Sequence, residues 1–392
     1  MLKGIKVIDL SRNLAAPFCT MILADMGAEV IKIEFPGVGD DARGFSPIIQ
    51  GESGYFMSVN RNKKGMTLNL KDERGKKILL ELLRNADVMV DNFRPGVLDR
   101  LGLSYEKMKV HNKGLICASL SGFGHTGPYR EKSAYDLVVQ GYGGIMSITG
   151  LEDSEPTRVG ISLGDLAAGL YLAIGIEGAL LARNRTGEGD FIDVAMLDCQ
   201  VALLENAIIR YCATGQLPGP VGNRHPSITP FESYKSADGY IIVCAGNQGL
   251  WIDFCEVIDR RDLLADERFG SNDLRTQNHH HLKPIIEEST KIKKTSEWIT
   301  ILEKAGIPCG PINTISSVME DEQVKSRNMI ASFDHPQAGL VTMPGFPIKS
   351  AQYQMPQSFE PSPMLGQDTK EILHSLGFDD SAIDAMKKDK VI

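Results

Sequence analysis

Short β-rich runs alternate with helical stretches through the first two hundred residues, and this order constrains the fold more than any other feature of the chain. Helical spacing occupies 15–27 and 72–85, and Asp72 is the expected N-cap of the second stretch. The runs that predict strands are 6–10, 30–34, 68–70, 87–90 and 115–119. This strand–helix order predicts an α/β fold in which helices cover both faces of a parallel sheet.

The texture of the sequence changes after residue 211. Long helices are predicted over 166–183 and 194–211, and the turn-rich segment 214–220 is the candidate linker. A smaller α+β unit is predicted downstream, with a strand over 240–245, helices near 249–257 and 296–304, and a last helix over 368–376 after Pro-rich extended chain. The predicted domains are a large one over 1–215, completed by 335–392, and a small one over 225–330.

Composition excludes several classes of protein. The 392 residues are 42% hydrophobic and 23% charged, as in ordinary globular chains, and the net charge of −8 lacks the basic field of a nucleic-acid binder. No run of eighteen uncharged apolar residues occurs, so no membrane partner is expected. The seven cysteines are odd in number and contain no C-x-x-C pair, which predicts a reducing cytoplasm and no metal site.

Common catalytic motifs are missing from the chain. The first strand–turn–helix reads DLSRNLAAP without the G-x-G-x-x-G that a dinucleotide requires, and no P-loop, H-E-x-x-H or G-x-S-x-G occurs. The triple His279–His281 lies in a polar stretch, and consecutive helical residues face different directions. We therefore expect these histidines at a solvated helix start or loop.

Basic residues cluster in two segments that are expected at the carboxyl ends of strands, where open α/β sheets bind ligands. A ligand there should be anionic and could carry phosphates, although the pattern alone favours a solvated charged loop. The cluster residues are Arg61, Lys63, Lys64 and Lys71 in NRNKKGMTLNLK, and Arg94 and Arg100 in NFRPGVLDR.

Asp165 is the one carboxylate between Glu155 and Glu177, and it precedes a markedly apolar stretch. One interpretation is an N-cap, because Asp accepts hydrogen bonds from the first turn of a helix. The other is a carboxylate nucleophile that attacks an acyl carbonyl and forms a covalent intermediate. The residues alone leave both roles open.

Ordered blocks along almost the whole chain resemble the class III CoA-transferases, the superfamily of formyl-CoA transferase and carnitine CoA-transferase (CaiB/BaiF type). The blocks are GIKVIDLSRNLAAPFCTMILADMGAEVIKIEFPGVGD, NRNKKGMTLNL, ADVMVDNFRPGVLDRLGL, SLSGFGHTGPYREKSAYDLVVQGYGGIMSITG, GISLGDLAAGLYLAIGIEGALLARNRTGEG, GIPCGPINT and LGQDTKEILHSLGF.

The resemblance implies a Rossmann-like large domain built from both termini, a small middle domain, and a homodimer whose chains interlock like rings. It also implies an acyl-CoA:carboxylate CoA-transferase that needs no prosthetic group and takes coenzyme A, acyl-CoA and a small carboxylic acid as substrates. Asp165 is the implied nucleophile, through an aspartyl anhydride and then an aspartyl-CoA thioester. The implied CoA contacts are Leu14, Ala15, Leu68, Asn69, Leu70, Lys71, Asn92, Phe93, Arg94, Arg100, Lys132 and Tyr135.

The chain departs from formyl-CoA transferases at two places. Phe35 stands where they carry a basic residue that contacts the nucleotide, and GNRHPSITPFESY replaces their glycine-rich loop. Formate and oxalate specificity is thereby in doubt, and Arg224 and His225 could select another carboxylate or belong to a structural loop. Two rival functions remain. One is a 2-methylacyl-CoA racemase, which uses a His-Asp motif beside the site where this chain has Ser133-Ala134-Tyr135-Asp136 and no His. The other is a non-catalytic CoA-binding protein.

Overall fold

The computed structural model describes residues 1–353 and 358–392, and these form two compact units. The first unit comprises 1–146, 158–214 and 322–392, and the second comprises 147–157 and 215–321. The segment 147–157, which the sequence places inside the large domain, clusters with the second unit.

The strands of the described residues are β1 (Lys6–Asp9), β2 (Glu29–Glu34), β3 (Ile48–Ile49), β4 (Glu52–Ser53), β5 (Lys63–Thr67), β6 (Val88–Asp91), β7 (Ile116–Ser121), β8 (Phe191–Ala195), β9 (Phe231–Lys235), β10 (Tyr240–Cys244), β11 (Cys309–Pro311), β12 (Ile330–His335) and β13 (Gly339–Pro344).

The helices are α1 (Ala15–Asp25), α2 (Gly54–Met57), α3 (Glu73–Arg84), α4 (Val97–Arg100), α5 (Tyr105–His111), α6 (Asp136–Tyr142), α7 (Leu163–Thr186), α8 (Met196–Ala202), α9 (Ala207–Thr214), α10 (Gln248–Val257), α11 (Asp262–Ala265), α12 (Asn272–Gln277), α13 (His279–Thr290), α14 (Thr295–Lys304), α15 (Ile315–Glu320), α16 (Glu322–Ser326), α17 (Thr369–Ser375) and α18 (Asp380–Lys388).

A six-stranded parallel sheet with the order β5-β2-β1-β6-β7-β8 organises the first unit. The α/β class and the parallel sheet predicted from the sequence are confirmed. The strand order reverses between the neighbours β1 and β6, and such a switch point leaves a crevice at the carboxyl ends of the two strands. The loops that follow β1 and β6 are therefore the first place to look for a ligand site.

Alternate side chains of the central strands point to opposite faces, and each face has its own core. Val7 packs into the core formed with α1 and α7, whereas Ile8 packs into the core formed with α3 and the C-terminal helices. The C-terminal chain contributes buried Ile372 from α17 and Ile383 from α18 to that second core. Helices on both faces, as predicted, exclude water from a sheet whose strands are apolar on both sides.

Three elements differ from the predictions. The strand predicted over 68–70 lies over Lys63–Thr67, because its first residue is a buried lysine that an apolar pattern does not reveal. The helix predicted over 194–211 is the end of β8 followed by α8 and α9, with left-handed Glu205 between the helices. A further helix, α18, follows the predicted last helix.

The second unit has an antiparallel sheet of order β11-β10-β9. Its core includes the fully buried side chains of Trp251, Phe254 and Trp298 from α10 and α14. The predicted strand over 240–245 and the two predicted helices are present as β10, α10 and α14.

Helix α7 is, in the described part of the chain, the helix that is long and apolar enough to cross a membrane. Its buried residues, among them Leu172 and Ile176, pack in the core against the sheet. Core helices commonly have this composition, so the absence of a membrane partner remains an expectation.

Candidate active site

Asp165 lies in the first turn of α7, but it does not cap that helix. The N-cap is Ser162 and the helix begins at Leu163, three residues before the predicted start, so Asp165 is the third helical residue. The free N–H of Gly164 is instead capped from a neighbouring helix, by the Oδ1 of Asp136 at 2.8 Å. The N-cap interpretation of Asp165 is therefore wrong.

Two glycines let α7 approach its neighbours closely enough to place Asp165. A Cβ at Gly169 would lie 2.5 Å from the carbonyl oxygen of Ala15 in α1, and a Cβ at Gly164 would lie 2.7 Å from the side chain of Val139. Both distances are shorter than real carbon contacts, so a side chain would push α7 away. This close packing explains why glycines flank the aspartate in the block G-D-x-x-x-G.

The carboxylate of Asp165 is half-buried and, within residues 1–353 and 358–392, accepts no hydrogen bond and forms no ion pair. Burial, together with the negative charge of Asp136, raises the pKa of Asp165 to about 7. A partly buried carboxylate without a hydrogen-bond or ion-pair partner in the described chain keeps its electron pairs available to attack a bound electrophile.

Asp136 contributes to the site, although the sequence pointed to it only as part of the segment compared with the racemase motif. It is buried at the start of α6, where its Oδ2 accepts a hydrogen bond of 2.8 Å from the Nε2 of Gln140. It therefore supports the Asp165 turn through Gly164 and opposes the ionisation of Asp165 through its charge. A carboxylate capping a helix from another element leaves no signal in local sequence, which is why it was missed.

A cleft of about 290 Å³ opens beside Asp165 at the carboxyl edge of the sheet. The predicted site residues that line it with Asp165 are Leu14, Ala15, Asn92, Phe93, Arg94, Lys132 and Tyr135. Tyr55, Phe45 and Arg130 also line it and were missed. Phe45 and Tyr55 lie far along the connection between β2 and β5, whereas Arg130 lies in the loop after β7, close to predicted Lys132. The cleft thus combines one unpaired carboxylate with three cationic side chains.

A second cavity, of about 340 Å³, is lined by the predicted residues Leu68, Leu70, Lys71, Phe93 and Arg100. Phe93 lines both cavities, so they meet at this side chain. Arg12, in the loop after β1, also lines the second cavity and stands over the Phe93 ring at 5.7 Å. Phe35, which stands where formyl-CoA transferases carry a basic residue, lines the cavity too. The three cations Arg12, Lys71 and Arg100 line the same cavity.

Two of the predicted contact residues use their side-chain amides inside the protein. Asn69 accepts a hydrogen bond from the N–H of Lys71 and donates one to the carbonyl of Lys390, and it lines neither of the two cavities. Asn92 lines the first cleft, but its amide pairs with the backbone N–H and carbonyl of Arg12 at 2.8 and 2.7 Å. Asn92 thereby fastens the β1 loop to the β6 loop.

Lys132 is held in an aromatic box at the rim of the cleft. Its Nζ lies 3.7 Å from the ring centre of Tyr129 and 5.3 Å from that of Tyr142, and the Phe123 ring packs edge-on against both tyrosines. Cation–π contacts of this kind orient an ammonium group without neutralising it. Lys132 thus remains able to attract an anion.

Three residues of the predicted basic cluster do not face a ligand. Arg61 forms a buried ion pair with Asp25, and Lys63 forms one with Asp9. Half-buried Lys64 pairs with Glu29 and Glu371. The prediction was wrong because Lys63 and Lys64 start β5, whereas ligands lie at the carboxyl ends of strands. Lys71, Arg94 and Arg100 come after strands and do line the cavities.

The three histidines at the start of α13 are only partly solvated. His280 and His281 are exposed, but His279 is half-buried and pairs with the carboxylate of Glu232. Across 1–353 and 358–392, no group of three or more His, Cys, Asp or Glu side chains is arranged to hold a metal ion.

The comparison with family models decides the family. Residues 2–369 match the model of CoA-transferase family III. The chain belongs to CoA-transferase family III. The family, and the fold it implies for the parallel sheet, were thus correctly predicted from the ordered blocks.

Relatives of this family III chain carry transferase names. The chain is 44% identical to the acetyl-CoA:oxalate CoA-transferase of Acetobacter aceti, covering 93% of this chain and 92% of the relative. It is 40% identical to the human succinyl-CoA:glutarate CoA-transferase, covering 97% and 87%. A crystal structure of a CaiB/BaiF family protein from Brucella suis matches with a TM-score of 0.84 and 39% identity, over 96% of this chain and 99% of that one.

The chain is accordingly an acyl-CoA:carboxylate CoA-transferase, and CoA thioesters are its substrates. The comparisons favour this activity over the racemase and the non-catalytic binder that the sequence left open.

Proposed function

We propose that Asp165 is the nucleophile that carries CoA from the donor to the acceptor acid. The observation that carries the proposal is the state of its side chain, a half-buried carboxylate without a partner in the described chain, beside a cleft edged by Arg94, Arg130 and Lys132.

The reaction begins when an oxygen of Asp165 attacks the donor thioester carbonyl. The carbon–sulfur bond breaks, and an aspartyl anhydride and free CoA thiolate result. The thiolate attacks the aspartyl carbonyl of the anhydride, releases the donor acid and leaves CoA on Asp165 as a thioester. The acceptor carboxylate attacks this thioester, and the returning thiolate then attacks the acceptor carbonyl, which frees Asp165 and the new acyl-CoA.

Every step exchanges one activated acyl group for another, so no hydrolysis or external energy source is required. The route uses no prosthetic group, in keeping with coenzyme A serving only as a substrate. Partial burial of Asp165 favours this outcome, since water is the competing nucleophile at both intermediates.

The two cavities suit the two ends of coenzyme A. Lys71, Arg100 and Arg12 supply donors for the phosphates in the second cavity, and the thioester would reach Asp165 past Phe93. Backbone groups of Leu14 and Ala15, at the N-terminus of α1, would contact the reacting end.

The acceptor in this proposal is a small dicarboxylate. A thioester carbonyl and a pantetheine arm are neutral. Arg130 pairs with Glu131, but the cations Arg94 and Lys132 in the cleft lining still exceed what these neutral groups require. An acyl group or acid with a second carboxylate would satisfy the remaining charge. Oxalate and glutarate, which name two relatives, are acids of this class.

We also propose that two copies of the chain form the interlocked homodimer. The surface of the first unit carries large apolar side chains that a partner would cover, among them Ile174 at 63% and Ile209 at 67% exposure. A reducing cytoplasm is the proposed compartment, because all seven cysteines are free thiols. Sedimentation of the purified protein tests the dimer: a monomer at micromolar concentration would contradict it.

The function is tested by mixing purified enzyme with a panel of acyl-CoA donors and free acids and reading new acyl-CoA masses. We expect transfer to dicarboxylates such as glutarate and succinate, and at least tenfold slower transfer to butyrate of similar length. Lys132→Gln should lower the ratio of the glutarate rate to the butyrate rate, whereas Arg84→Gln, at an exposed position on α3, should leave that ratio unchanged. Equal rates with butyrate would contradict the dicarboxylate assignment.

A further inference from the structure

The second unit contains a polar cavity of about 470 Å³ between the β9–β10 hairpin, helix α13 and two loops. It is lined by Leu151, Glu152, Val221, Gly222, Asn223, Arg224, Glu232, Ser233, Lys235, Tyr240, His279, Lys283 and Glu287.

Most of its charged side chains neutralise one another. Glu232 is buried, and both His279 and Lys283 of α13 pair with its carboxylate. Glu287 pairs with Lys291 and accepts the backbone N–H of Lys235 at 3.2 Å. These contacts fix the wall of the cavity and leave neither carboxylate available to neutralise a further cation.

The side chains left over are mainly donors. Within 1–353 and 358–392, the half-buried guanidinium of Arg224, the ammonium of Lys235 and the hydroxyl of Tyr240 have no hydrogen-bond or ion-pair partner. The one unpaired acid in the lining is exposed Glu152. Two unpaired cations against one unpaired carboxylate leave the cavity with a net positive charge.

Asn223 shows that the loop beside Arg224 is attached to the cavity wall. Its Nδ2 donates a 3.0 Å hydrogen bond to the hydroxyl of Ser233 on β9. This bond sets the position of the next residue, Arg224, over the cavity. By contrast, His225 turns to the Phe231 ring and accepts the N–H of Ser227, and it does not line the cavity.

We propose that this cavity is a first binding site for a small carboxylate, the free acid substrate, before that acid moves to the cleft at Asp165 to react, and that Arg224 is the residue that binds it. Arg presents paired N–H groups that match a carboxylate, and Lys235 and Tyr240 can complete a second carboxylate or a polar tail. The choice of a carboxylate over other anions rests on the proposed function, and the volume accommodates a dicarboxylic acid of a few carbons.

Titration calorimetry of the full-length enzyme with glutarate, inorganic phosphate and CoA tests the site. Arg224→Gln should weaken glutarate affinity by about 10- to 100-fold while CoA affinity stays unchanged. The matched control is Arg261→Gln, which removes an exposed cation of the same unit and should leave all three affinities unchanged. Tyr240→Phe should weaken glutarate binding by a few-fold and serves as a second variant if Arg224→Gln unfolds.

Steady-state kinetics distinguish a role of Arg224 in binding the acid from a purely structural role. The KM for the acceptor acid should rise with the loss of affinity, whereas the amount of enzyme acylated by donor acyl-CoA alone should stay unchanged. Unchanged glutarate affinity in a folded Arg224→Gln variant would overturn the proposal, and so would a loss of CoA or phosphate affinity with glutarate affinity retained. If the donor fails to acylate the wild type, the Asp165 mechanism fails instead.

Discussion

Two buried or half-buried carboxylates of the first unit, Asp9 and Asp165, have the same chemistry but opposite surroundings. Asp9 is fully buried at the end of β1, where it accepts hydrogen bonds from Thr20 and Ser11 and pairs with Lys63 at 3.0 Å. Asp165 has no hydrogen-bond or ion-pair partner within the described chain and faces a cleft. The carboxylate of Asp9 is fully used in contacts that stabilise the fold, whereas the carboxylate of Asp165 remains available to react with a substrate.

The electrostatics of the two groups differ accordingly. Burial alone would raise the pKa of Asp9, but Lys63 and Lys32 hold it below its usual value. For Asp165, burial and the negative charge of Asp136 act in the same direction, and together they raise the pKa of Asp165 to about 7. Burial by itself therefore does not distinguish a structural acid from a reactive one; the sign of the neighbouring charge does.

The buried ion pairs around Asp9 also support the site. Lys32 pairs with Asp40 at 2.9 Å and donates to the carbonyl of Ser11 at 2.8 Å, and Asp40 accepts the N–H of Asn13 at 3.0 Å. These contacts hold the loop that leads into Leu14 and the cleft. These buried charges thus fix the backbone that leads to the cleft.

The largest effect expected from this contrast is on the rate. Asp165→Ala should lower CoA transfer by about 10⁴-fold or more, because no other group can carry the acyl and CoA intermediates. Initial rates with the best donor and acceptor measure it, and circular dichroism with a melting curve checks the fold. A folded variant that retains a tenth of wild-type activity would remove Asp165 from the mechanism.

The next effect is on stability. Lys63→Met should cost about 3–5 kcal/mol of unfolding free energy, because it leaves the buried charge of Asp9 without its closest cation. Lys64→Met is the matched control: the Lys64 side chain is 41% exposed, so the loss of unfolding free energy should stay within about 1 kcal/mol. Denaturant unfolding measures both, and similar costs for the two lysines would show that Asp9 is not held by Lys63.

The fold was largely predictable from sequence because strand and helix periodicity report burial directly. The site was predictable in part: the loops after β1 and β6 and the block around Asp165 have local signatures. Asp136 has no such signature, since it caps Gly164 from another helix. Arg12 and Arg130 were missed as well, although they lie in the loops after β1 and β7. The ligand site predicted at the basic run 61–64 was wrong because this run lies at the start of β5, where its side chains form ion pairs within the protein.

A smaller effect is expected in the pH dependence of the wild type. Attack requires ionised Asp165, so kcat/KM should fall about tenfold per pH unit below pH 7 and level off above it. A buffer series at constant ionic strength measures the profile. A rate that stays flat down to pH 5 would mean that Asp165 ionises like an ordinary carboxylate.

The smallest effect concerns the neighbour of Asp165. Asp136→Asn keeps an oxygen that can accept the Gly164 N–H but removes the negative charge. The acid limb of the pH profile should therefore move to lower pH, by roughly half a unit. Asp136→Ala, which also removes the cap, should lower the melting temperature as well. If the acid limb of the folded Asp136→Asn variant does not move, the charge of Asp136 does not raise the pKa of Asp165.

The most direct test of the central claim is the mass of the enzyme during turnover. Wild-type protein is incubated with donor acyl-CoA in the absence of acceptor, quenched, digested and sequenced by mass spectrometry. We predict that the peptide containing Asp165 gains the mass of CoA less one water, and that hydroxylamine converts this residue to its hydroxamate. Turnover without any such adduct, or an adduct on a different residue, would contradict the account.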